Sequence, residues 1–229
     1  MKNIKNGFTL AEVLITLGII GVVAAITLPV LITNFQKKQI ATAVKKAYSE
    51  LSQALKLSET DNGEMQYWDY PIGSVEDTEI FVNKYIKPYY QELNKFEERF
   101  GVQWPGISAN GVTYITNNGT ILSIVVSQSV INVLVDVNGL KMPNRIGNDI
   151  FYFNTTTGKL MPSGWQENLT REMVLNGYTP PSSKRKYSCK NTISESDDYT
   201  AARHGCTALL MLDNWEFKKD YPWQYKNPK

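Results

Sequence analysis

Polar residues are almost missing from one stretch of this chain. After the leader MKNIKNG, residues 8–32 read FTLAEVLITLGIIGVVAAITLPVLI, long and apolar enough to cross a bilayer as a helix. The one acid within it is Glu12, five positions past Gly7. A carboxylate at membrane depth is costly, which makes Glu12 a functional candidate by default. Beyond Pro29 the pattern turns amphipathic. Leu31, Phe35, Ile40, Val44, Tyr48, Leu51 and Leu55 recur at helical spacing, with Lys37, Lys38, Lys45, Lys46 and Glu50 mostly between them. The pattern predicts one helix from Phe8 to about Leu57, roughly 75 Å long at the α-helical rise. Residues 8–32 form its membrane half, and residues 33–57 form an amphipathic continuation that packs on a soluble domain. Pro29 removes a hydrogen bond and is expected to kink the helix. Gly18 and Gly21 would loosen it, although glycine is also simply more frequent in membrane helices.

From residue 58 onward the period changes. Asp61-Asn62-Gly63 is a turn signal. Ser74, followed by Glu76 and Asp77, predicts the capped start of a short helix that ends before Pro88. Residues 101–110 read as loop. Residues 111–116 and 120–126 flank Asn117-Asn118-Gly119, a hairpin signal, and residues 130–137 form a third β-branched run. Residues 150–154 and 159–161 flank a second turn, Thr155-Thr156-Thr157-Gly158. Short helices are expected at 169–176, ended by Gly177, and at 199–212. The layout is α+β: a long helix against an antiparallel sheet, in one domain covering 58–229.

The N-terminus admits ordinary readings. A secretory signal peptide has a basic start, a short apolar core and a small-residue cleavage site, which Lys2, Lys5, Ala24 and Ala25 could supply. A plain membrane anchor explains the length but neither Glu12 nor Gly7-Phe8. The segment Gly7-Phe8-Thr9-Leu10-Ala11-Glu12-Val13-Leu14 resembles the processing signal of type IV pilins and type II secretion pseudopilins. That resemblance continues through Gly21 and Pro29, which match helix-loosening positions common in the family. It implies a pilin-like fold and a structural rather than enzymatic role. It also implies removal of leader 1–7 by a prepilin peptidase cutting between Gly7 and Phe8, then N-methylation of the Phe8 amine. The apolar helix would stay in the membrane until the subunit joins a filament with other pilin or pseudopilin subunits at an inner-membrane assembly platform. Glu12 would pin the register of assembly by pairing with the Phe8 amine of a neighbouring subunit. The basic clusters after the span compete with the leader lysines, so charge alone does not fix orientation. With the cysteines, the resemblance puts the C-terminal domain outside the cell membrane on a single-pass anchor. The alternative is a membrane-anchored extracytoplasmic binding module for calcium or a surface ligand.

Signals for chemistry are few. Cys189 and Cys206 are the only cysteines, and in an extracytoplasmic domain such a pair most often forms a disulfide; a metal pair or free thiols are the alternatives. His204, the single histidine, reads as a surface side chain. Asp136-Val137-Asn138-Gly139, followed by Asn144, Asn148 and Asp149, offers oxygen ligands of the kind calcium takes, and Asp136, Asn138 and Asp149 are the candidate set. Asx turns explain the same residues more simply. No cofactor is otherwise implied. The net charge of +2 gives no global nucleic-acid signal, and Lys184-Arg185-Lys186 reads as a solvated loop.

Overall fold

The computed structural model describes residues 9–71, 74–96, 111–127, 129–181, 184–190 and 200–223. Two compact units emerge, residues 1–39 and residues 40–229. The described part of the first is almost wholly the leading part of helix α1 (Leu10–Asn62), which continues into the second. Pro29 lies inside α1, which runs to Asn62 and so passes the end expected near Leu57; Asp61 and Asn62 still belong to the helix, and Gly63 at φ 80° is the first residue to leave it.

In the second unit, α1 buries Ala41, Val44, Ala47, Leu51, Ala54, Leu55 and Ser58, a single stripe at helical spacing. That stripe shares one buried cluster with its partner. The partner is a six-stranded antiparallel meander in the order β1 (Leu93–Lys95), β2 (Val112–Thr116), β3 (Ile121–Ser127), β4 (Val130–Asp136), β5 (Ile150–Asn154) and β6 (Met161–Pro162). Register puts Ile124 opposite Val133 and Val133 opposite Phe153, so one row of buried side chains crosses three strands. Alternation does the rest: Val112, Tyr114 and Thr116 of β2 point inward while Thr113 and Ile115 are half-buried. This is the α+β, pilin-like layout expected from the sequence. The first hairpin closes through Asn117-Asn118-Gly119, with the Gly119 N–H donating to Thr116 O at 2.9 Å.

Helix α2 (Val75–Tyr85) begins where the serine signal placed it, Ser74 Oγ accepting from Asp77 N at 2.9 Å. Its Phe81 and Tyr85 join Trp68 in an aromatic group, Trp68 stacking on Tyr85 at 4.5 Å between centroids. Helix α3 (Arg171–Asn176) is capped by Thr170 and stopped at Gly177. A second buried cluster holds Leu169, Val174, Tyr178, Tyr187, Leu209 and Tyr221 around the two cysteines.

The C-terminal helix departs from expectation. It is α4 (Gly205–Leu212), not 199–212. Thr200–Ala202 instead form β8, paired in parallel with β7 (Lys186–Ser188), and Arg203 at φ 66° turns the chain into the helix. The expected loop over 101–110 lies outside the described residues.

Candidate functional site

The N-terminal part of α1 exposes its apolar side chains on every side. Leu10, Leu14, Ile15, Leu17, Ile19, Ile20, Val22, Ile26, Leu28, Val30, Leu31 and Phe35 are each more than half exposed. Among the described residues this is the one helix long and apolar enough to cross a membrane. Its hydroxyl side chains are turned back onto the helix. The hydroxyls of Thr16, Thr27 and Thr33 donate to Glu12 O, Val23 O and Pro29 O, each at 2.9 Å, so few polar groups face outward. Thr33 thereby engages the carbonyl at the proline. No neighbour comes within 4 Å of a Cβ built on Gly18 or Gly21, which leaves room for a close helix partner.

Glu12 takes part in a reciprocal cap that periodicity did not reveal. Its Oε2 accepts from Thr9 N and from Thr9 Oγ1, both at 2.8 Å, while Glu12 N donates to Thr9 Oγ1 at 3.3 Å. Thr9-Leu10-Ala11-Glu12 is a capping box, which satisfies orphan N–H groups at the start of α1. The spacing of threonine and glutamate was the signal that could have disclosed it. Gly7 and Phe8, the expected processing residues, lie outside the described residues.

The cysteines form the disulfide Cys189–Cys206 inside the second core cluster. It joins the end of β7 to the first turn of α4. Thr207 in the same turn accepts from Tyr152 N at 2.9 Å and so ties α4 to β5. His204 is half-buried rather than on the open surface, its ring stacked on Tyr152 at 4.1 Å between centroids. Burial, helped by the Arg185 charge, holds its imidazole down to about 4.

The β4–β5 connection brings the three candidate cation ligands together. Asp136 and Asp149 are both fully buried. Asp136 Oδ1 accepts from the N–H groups of Asn138, at 3.1 Å, and Gly139, at 2.9 Å. Asp149 accepts from Asn144 N at 2.8 Å, from Asn138 Nδ2 at 3.1 Å and from Arg145 N. Burial, then the Asp149 charge, pushes Asp136 up to about 8, and burial pushes Asp149 up as well. Among the described residues, no three His, Cys, Asp or Glu side chains converge, so any cation here would rely on amide and carbonyl oxygens.

An exposed apolar helix with a capped N-terminus, leading into an α+β domain, is the architecture of a type IV pilin-like subunit. Residues 2–28 match the model of the prokaryotic N-terminal methylation motif, which implies processing by a prepilin peptidase and assembly with other pilin subunits. Residues 30–225 match the model of a family of unknown function, DUF6613, and the chain belongs to that family. No enzyme family is indicated by either match. No curated protein and no solved structure matches the chain.

Proposed function

We propose that this protein is a structural subunit of a type II secretion pseudopilus or a related type IV pilus-like filament. The observation that carries the reading is the apolar surface of α1, which begins inside the methylation motif at residues 2–28 and runs on to Phe35. A surface of that size needs a cover, and lipid before assembly and neighbouring helices after it are the two covers that suit. Leader 1–7 is removed and Phe8 becomes the methylated N-terminus. Residues 8–32 anchor the subunit in a single pass. Residues 33–229 lie outside, where an oxidising compartment suits the disulfide. An inner-membrane assembly platform extracts and stacks the subunits, and no catalysis is involved.

The capping box sharpens the test of Glu12. Glutamine can serve in the cap but carries no charge, whereas valine removes both functions. Glu12→Gln should insert in the membrane and keep a stable helix start, yet fail to enter filaments. Glu12→Val should fail likewise and lose the cap as well. Filament incorporation of Glu12→Gln at the wild-type level would show that the charge is not what pins the register.

A further inference from the structure

One arginine fastens the segment that follows α4 at two points. Asp213 is the C-cap of α4, where a carboxylate meets the negative end of the helix dipole. It is nevertheless only 2% exposed. Arg171, at the start of α3, holds it there: Nε donates to Asp213 Oδ1 at 2.8 Å, and Lys218 adds a second cation at 3.2 Å. The other two nitrogens of the same guanidinium grip Asp220, Nη1 reaching Oδ2 at 2.6 Å and Nη2 reaching Oδ1. A planar fork suits such paired grips. Between the two acids lie Asn214 at φ 56° and Trp215 at φ 62°, successive residues in the left-handed region. A bulky side chain enters that region only under strain. Trp215 is held in it by its N–H, which donates to Leu210 O at 2.7 Å, and by its ring, 5.2 Å from that of Tyr48 on α1.

The disulfide belongs to the same packing. Phe217, Tyr221 and Trp223 pack in the cluster that contains Cys189 and Cys206, and both cysteines are fully buried. Arg203 donates from Nη1 to Pro222 O at 2.8 Å and to Cys189 O at 3.4 Å, so one side chain ties the segment to a bridged cysteine. We propose that residues 213–223 form a strap, hinged at Asn214 and Trp215 and caught by Arg171, that gates the access of thiols to the Cys189–Cys206 disulfide. Exchange begins when a thiolate attacks one sulfur, and the other cysteine leaves with the electron pair and takes up a proton. The second thiol of a dithiol reductant then displaces the first cysteine. Two cysteine thiols form, and the reductant departs as a cyclic disulfide. With the strap seated neither sulfur is exposed, so the first attack waits for the strap to lift. Strain at the hinge favours lifting, and the Arg171 grip opposes it. A thiol–disulfide oxidoreductase would reach the pair only before the strap seats, so closure fixes the oxidised form. The gate acts on a single subunit and does not depend on filament assembly.

The rate of reduction reads the gate. The oxidised full-length chain in detergent is mixed with excess dithiothreitol, and freed thiols are mass-tagged over time. Asp220 is exposed, and Asp220→Asn keeps its shape, removes its charge and leaves Asp213 paired with Arg171 and Lys218. That variant should be reduced about fivefold faster than wild type. Salt at about 1 M should speed reduction of the wild type and change the variant much less, because the exposed pair is the one that salt screens. Ile131→Val is the control: Ile131 is fully buried in the cluster of α1 and the sheet, outside the strap. It should lower stability in urea yet leave the reduction rate unchanged. Reduction rates that follow urea stability across both variants would mean that the disulfide opens only with the whole domain, and would overturn the proposal. So would reduction of Asp220→Asn at the wild-type rate.

Discussion

Gly147 in the β4–β5 connection lies so close to Cys206 that a Cβ built on it would stand 2.6 Å from Sγ and 2.7 Å from the Cys206 Cβ. The loop therefore rests on the disulfide. Two further residues hold it there. Tyr221 Oη donates to Gly147 O at 2.6 Å, and Arg203 reaches Ile146 O at 2.7 Å and Asn148 Oδ1 at 3.1 Å. The C-terminal cluster is in this way a platform under the connection that holds Asp136 and Asp149.

Gly147→Ala tests the platform. The position has φ 78°, where an alanine is strained, and the new methyl meets sulfur and carbon. Strain plus overpacking should cost about 2–4 kcal/mol in denaturant unfolding of the oxidised chain. In a Cys189→Ala, Cys206→Ala background the same substitution should cost less, because the sulfur has gone while the Cβ of residue 206 and the φ strain remain. Equal costs in the two backgrounds would mean that the sulfur is not what the new methyl meets.

His204 should make stability fall in acid. Its folded-state imidazole is held down to about 4 by burial, whereas an unfolded chain titrates near 6.5. Between those values the unfolded state binds more protons, so stability present above about pH 6.5 is lost as pH falls, by up to about 1.4 kcal/mol per unit. The raised pKa of Asp136 works in the opposite sense, since that stability is lost as pH rises toward about 8. The His204→Phe variant, which keeps a ring against Tyr152, isolates the histidine contribution. The wild-type stability minus that of the variant should decline from about pH 6.5 toward 4 in urea titrations. Parallel curves would mean that the ring is freely protonated in the folded state.

The sheet was legible in the sequence where strands carry β-branched alternation between strong turns. Ile121–Ser127 and Val130–Asp136 are such strands, and Asn117-Asn118-Gly119 fixed the first hairpin. The start of α2 was legible because Ser74 caps it locally, and the end of α3 because Gly177 stops it. Leu93–Lys95 was not, since three residues carry no measurable period. Thr200–Ala202 read as helix because two alanines favour it, but pairing with Lys186–Ser188 overrides that propensity. At the candidate site the acidic residues could be picked out by type. The bonds from Arg203 and Tyr221 to the loop could not, because they join residues 55–74 positions apart.

The central claim is that the chain is cut before its apolar helix and keeps that helix as an assembly element. The mature N-terminus tests it most directly. Intact-mass and N-terminal peptide analysis of the protein purified from its native membrane should show a chain that begins at Phe8 with a methylated amine. A chain that retains Met1, or one cut after the apolar run near Ala25, would contradict the account.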